Sequence, residues 1–272
     1  MKMNLKTKKP EHIVRKPFLT GSPADENTLK SSAAFFGSLL LVYFMSFMLC
    51  SFSGFGNAVI GVVVNVLVIG IMVIVFFNNG TNQGADAVAR GEILYQKEQK
   101  GLPFSDSERS VCYHPMKGFL TGLLGTLPLI VIALVFALNV QIKMTDSGTL
   151  PSWMQTYLRR ADIGNALVQY TQTSAMSLTA YLRIIVRIAL IPFVTIIGTA
   201  NSRGLLVLER LSPILVLIPA VSYGSGYLTG RGIRTKVHTA ISENDRRRVR
   251  KERKARKARR DHSAFRPPEK LN

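Results

Sequence analysis

Acidic side chains and cysteine are scarce in this sequence, and so are the motifs of catalysis. Two cysteines in 272 residues, Cys50 inside an apolar run and Cys112 in a charged stretch, do not make a disulfide framework. No glycine-rich phosphate loop, nucleophile elbow or HExxH helix occurs, which removes the common signatures of nucleotide hydrolysis, serine hydrolysis and zinc proteolysis. Asp106, Glu108, Cys112 and His114 are metal-ligating types, but their spacing fits no zinc pattern. Neither metal nor cofactor is therefore expected, and a non-enzymatic role is favoured. Amphipathic helices of the number needed to cover a large soluble core are also missing.

What is present is apolar sequence in blocks. Residues 35–52, 58–77 and 119–138 contain no charged side chain. About 20 apolar residues at ~1.5 Å rise cross the ~30 Å hydrocarbon layer, so these blocks predict an all-α, polytopic transmembrane helical bundle. Crossings are expected at 32–53, 58–77 and 118–140, with two blemished ones at 182–200, which holds Arg183 and Arg187, and 211–229, which holds Pro213 and Pro219. The turn at 54–57 implies a tight hairpin. Asn78, Asn79, Gly80, Thr81 and Asn82 read as a breaker cluster that opens a hydrophilic loop, 78–117, with a short helix at 85–100 inside it. Residues 1–31 read as a mostly disordered basic arm and 231–272 as a polybasic tail. The first apolar block is expected to be a retained anchor, because its length exceeds that of a cleaved leader.

Charge then orients the chain. Net charge is +19, and 28 of the 35 lysines and arginines fall in the arm, the 78–117 loop and the tail. Basic flanking segments favour the cytoplasmic side, so all three are expected there, in a cell (plasma or inner) membrane, with residues 141–162 as an external loop. That arrangement needs an even number of crossings, whereas the clear apolar blocks number five. Residues 163–181 are accordingly predicted to supply a polar sixth crossing, with a five-span arrangement or a re-entrant segment as alternatives.

Arg183 and Arg187, four residues apart, share a helical face and can reach Glu209 if the last two spans are antiparallel; the other reading is that they anchor a helix end in lipid phosphate. Asn65, surrounded by Val and Leu, needs a hydrogen-bond partner in the bundle. Gly118 with Gly122, and Gly226 with Gly230, have the four-residue spacing that lets membrane helices approach closely. The densest feature is the run of Arg246, Arg247, Arg248, Arg250, Lys251, Arg253, Lys254, Arg256, Lys257, Arg259 and Arg260, with Glu252 the only acid among them. Such a run repels itself and should become helical chiefly against an anionic surface, either lipid headgroups or ribosomal RNA and other nucleic acid.

Residues 183–192, reading RIIVRIALIP, resemble the arginine-bearing span of membrane-protein insertases of the YidC type. The resemblance implies five core spans and a basic tail that meets ribosomes. It covers ten residues, and in that family this span opens the core, whereas here it is nearly last. The functional expectation is a non-enzymatic transport-type or accessory membrane subunit, assembling with lipid and other membrane subunits. The alternative is a membrane-anchored docking module whose tail binds ribosomes, nucleic acid or anionic lipid.

Overall fold

The computed structural model describes residues 13–52, 58–140, 151–160, 162–164, 167, 178–198 and 201–264. Every regular element among them is helical: α1 (Glu26–Phe52), α2 (Ala58–Gln99), α3 (Asp106–Ser110), α4 (Lys117–Asn139), α5 (Ser152–Gln155) with a 3-10 turn at Thr156–Arg159, α6 (Leu178–Ala189), α7 (Ile191–Ile197), α8 (Ser202–Val216) and α9 (Ile218–Ala264). Four stretches are long and apolar enough to cross a membrane, and a fifth if α6 and α7 count as one span. Among the described residues the chain is thus all-helical, with four or five helices long and apolar enough to cross a membrane.

The largest departure from expectation is α2, which runs on for 42 residues straight through the predicted breaker cluster. The reason is α9. A Cβ on Gly80 would stand 2.0 Å from the Tyr223 carbonyl oxygen, and one on Gly84 2.3 Å from that of Tyr227. On the facing helix, a Cβ on Gly226 would meet the Phe77 oxygen at 2.0 Å and one on Gly230 the Ala85 nitrogen at 2.4 Å. The glycines are where two helix backbones touch, not where one stops. Thr81 lies in the same seam, its hydroxyl 2.9 Å from the Phe77 carbonyl of its own helix and 3.2 Å from that of Gly226. Contacts advance together along both helices, Phe77 to Gly226 and Glu92 to His238, so α2 and α9 are parallel.

Helix α4 runs the other way. Gly118 abuts Tyr227 and Gly122 abuts Ala220, so α4 and α9 approach closely at that pair of small residues, while Gly125 meets Ser32 and Phe35 of α1. Pro128 and Pro213 lie inside α4 and α8, whereas Pro192 and Pro219 sit in the first turns of α7 and α9, where a missing N–H leaves no bond unmade. The blemished crossing expected at 211–229 falls within one stretch long and apolar enough to span a membrane, with a junction at Leu217 where α8 passes into α9. A core of Phe35, Leu39, Tyr43, Met72, Phe76, Phe136, Val216 and Tyr223 ties α1, α2, α4, α8 and α9 together. Val59, Ile60, Leu67, Leu138 and Ile214 stay exposed on the outside, as a lipid-facing surface requires.

Between α4 and α8 the predicted crossing at 182–200 is broken: α6 and α7 meet at 91° about Leu190. Helix α7 ends at Gly198, whose φ of +81° only glycine adopts without strain. The predicted sixth crossing lies outside the described residues apart from Ile163, Gly164, Leu167 and residues 178–181, and the predicted 54–57 hairpin lies outside them entirely.

The arm also differs from expectation. Residues 13–25 form an extended strap along the extension of α2 and α9 beyond the apolar segments. Its backbone is pinned by Leu19 N–H to the Gly91 carbonyl at 3.1 Å and Gly21 N–H to that of Tyr113 at 3.0 Å. Val14 N–H donates to the Thr239 hydroxyl at 3.2 Å. Strap, residues 100–116, the C-terminal half of α2 and the middle of α9 together make a stem at one end of the bundle.

Candidate functional site: two buried carboxylates, each held by two bases

Helix α6 is amphipathic in the inverted sense. Tyr181, Ile184, Ile185 and Ile188 face outward, while Arg183 and Arg187, one turn apart, face Glu209 of α8. Glu209 is 3% exposed. Arg187 Nε donates to its Oε1 at 2.8 Å, and Arg183 Nε lies 3.2 Å from the same oxygen. The Arg183 guanidinium also stands over the Phe136 ring, 5.7 Å from its centre. Phe136 lies 18 residues along α4 from Gly118, about 27 Å at helical rise. The cluster therefore occupies the end of the bundle opposite the stem, and Arg187, half-buried, edges outward there.

The stem repeats the arrangement. Glu92 of α2 is buried against α9, with His238 Nε2 at 2.7 Å from Oε1 and Arg234 Nε donating to Oε2 at 3.2 Å. Arg234 and His238 are again four apart on one helical face. Below them, Tyr113 stacks on Tyr227 with centroids 5.4 Å apart, Phe18 of the strap meets Tyr113 edge-on, and Arg231 covers Phe18 at 5.4 Å. Lys117 donates to Asp25 at 2.8 Å and to the Ser110 carbonyl at 3.0 Å, tying the starts of α4 and α1 to the loop. Burial pushes the Asp25 carboxyl up, but hydrogen bonds from Lys117 and Thr28 and the Lys117 charge outweigh it and hold the group below its ordinary 3.8. Burial pushes the Cys112 thiol up against the pull of Lys117, Arg109 and Arg90.

Asn65 is buried as expected, but its amide nitrogen donates to the Gly61 carbonyl of its own helix at 2.7 Å, not across the bundle. Its Oδ1 has no hydrogen-bond partner among the described residues. Asp106 and Glu108 belong to the short capped helix α3, Cys112 turns inward, and the His114 ring accepts from Met116 N–H at 3.3 Å. No group of three His, Cys, Asp or Glu side chains able to hold a metal occurs among the described residues. Residues 246–259 are exposed toward the end of α9, where, among the described residues, Arg247 and Arg248 pair with Glu243 and Glu252 one turn away.

Sequence reasoning found the Arg183, Arg187 and Glu209 set because charges stand out in an apolar run. It missed Glu92, Arg234 and His238, which lie among other charges. The signal available was the matched glycine spacing, Gly80 and Gly84 against Gly226 and Gly230, which pairs the two helices. No family model matches the chain, and no curated protein or solved structure is significantly similar to it.

Proposed function

We propose that the chain is a non-enzymatic accessory membrane subunit of the docking kind, in which the bundle anchors a stem that carries a cationic helix to a polyanion. The observation that supports this is the unbroken 47-residue α9. With Glu92 beside His238, the end of α2 at Gln99 falls near residue 245, so residues 246–264 extend past the stem. Gly226 packs on Phe77, where the apolar run of α2 ends, so Tyr227 stands at the edge of the apolar segment, and residue 245 is 18 residues beyond it, about 27 Å along the helix. That is more than three times the ~8 Å screening length at physiological salt, which argues against headgroups of the chain's own leaflet and for a projecting phosphate backbone such as ribosomal RNA.

The test uses the full chain in zwitterionic nanodiscs, sedimented with ribosomes or with phosphatidylserine vesicles over a salt series. Binding to ribosomes with a steep salt dependence, flattened by replacing Arg250, Arg253, Arg256 and Arg259 with Gln, supports the reading; equal binding to the vesicles refutes it in favour of lipid. Because the stem gathers residues 13–25, the 100–116 segment and α9 at one end, we place that end in the cytoplasm. Buried Cys112 is a poor reporter of this, so cysteines at exposed Ser107 and Ser152 should be compared with an impermeant thiol reagent. Labelling of Ser107→Cys from outside would reverse the orientation.

A transport reading draws on the 91° break between α6 and α7 beside a buried ion cluster, since broken helices line the sites of many transporters. Solute accumulation in vesicles that disappears in Glu209→Gln would move the assignment there.

A further inference from the structure

We propose that the pocket beneath the strap is a binding site for a phosphate-bearing anion. It forms where three distant segments converge: Arg15 and Lys16 from the strap, Glu92 from α2, and Arg231, Arg234 and His238 from α9. Among the described residues Glu92 is the only acid in its wall, and it is already engaged by Arg234 and His238. Arg15, Lys16 and Arg231 are exposed cations with no carboxylate of the pocket left to neutralise them. Three like charges brought to one opening repel each other unless an anion joins them, and guanidinium forks match phosphate oxygens two at a time. A single carboxylate would leave the charge unbalanced, whereas a phosphate monoester, bearing nearly two negative charges, offsets most of it. The pocket, open on one side, is about 30 Å3. At about 10–15 Å3 per water-sized atom, it admits two or three oxygens of a phosphate and leaves the rest of the ligand at the mouth.

Position and fold give the site a consequence. Phe18 seats the strap against Tyr113 and Arg231 covers its ring, so an anion bridging Arg15 or Lys16 to Arg231 clamps the strap onto α9. Arg231 is only four residues past Tyr227, about 6 Å along the helix, within reach of a lipid headgroup as well as of a soluble phosphate compound.

The experiment takes the full chain in phosphatidylcholine nanodiscs, adds inorganic phosphate at constant ionic strength set with chloride, and reads backbone hydrogen exchange in residues 13–25. Exchange there should slow with phosphate and not with chloride. The midpoint should rise about tenfold or more in Arg15→Gln/Lys16→Gln, the loss expected for charged hydrogen bonds, and likewise in Arg231→Gln, which leaves the strap sequence intact. A parallel arm replaces free phosphate by phosphatidic acid in the disc. Protection in that arm alone assigns a lipid headgroup, protection by free phosphate alone a soluble ligand, and protection in both a phosphomonoester from either source. No protection in either arm, or the same midpoint in parent and both variants, overturns the proposal.

Discussion

The bundle and the stem solve one problem with the same parts and in different surroundings. In each, a carboxylate on one helix, Glu209 or Glu92, meets two bases one turn apart on another, Arg183 and Arg187 or Arg234 and His238. In the bundle both bases are permanent cations and the outer face of their helix is Ile and Tyr, so water cannot replace a lost partner easily. In the stem Arg234 is about as exposed as Arg187 is in the bundle, a third of its side chain, but among the described residues its surroundings are the charged strap and the charged face of α9, so solvent can. The same geometry should therefore carry different energetic weight: obligatory near lipid, adjustable near water.

Glu209→Gln tests that most severely. Removing one member of a buried pair leaves two poorly solvated arginines, and a loss of about 3–5 kcal/mol is expected by thermal melting in nanodiscs. A loss under about 1 kcal/mol would mean the far interface already solvates them. Next comes Gly226→Ala, which sets a methyl against the Phe77 carbonyl and should destabilise by up to about 3 kcal/mol. It sharpens the comparison because it separates α2 from α9: hydrogen exchange should rise in 85–99 while α6 and α8 stay protected. Glu92→Gln should lose about 2 kcal/mol or less, seen as faster exchange in the strap and stem only; global unfolding would show that the stem is no more forgiving than the bundle.

The smallest effect concerns Asp25. Its carboxyl is held below 3.8 in the folded chain, so its contribution is complete above that value and is lost as pH falls through the lower folded one. Strap exchange should accelerate as the pH is lowered below 3.8, and Asp25→Asn should abolish this step. Persistence of the step in that variant would assign it to another acid.

What is legible in the sequence follows the same division. Within lipid, composition is so restricted that each exception is conspicuous, which is why Arg183, Arg187, Glu209, Asn65 and Gly118 with Gly122 stand out from the amino-acid order alone. In the stem, Glu92 is one charge among many, and its partners lie 142 and 146 residues away. Asn78 to Asn82 read as a break because local propensity is all a sequence window offers, whereas packing of Gly80 and Gly84 on α9 overrides it. The strap misleads for the same reason: its order comes from main-chain bonds to Gly91, Tyr113 and Thr239, none of which leaves a mark in residues 13–25 themselves.

Because α2 and α9 are parallel neighbours so far apart in sequence, assembly has a clock. At roughly 5–20 residues per second of synthesis, Glu209 emerges roughly 1–4 s after Arg187, 22 residues earlier, and the bundle cluster can close almost at once. Glu92 waits roughly 7–29 s for His238, and Val14 roughly 11–45 s for Thr239, 225 residues on. The segment made first is thus the last to find its place. During that interval the lower half of α2 has no α9 to lie against, and its glycine face is open to any other helix that offers one.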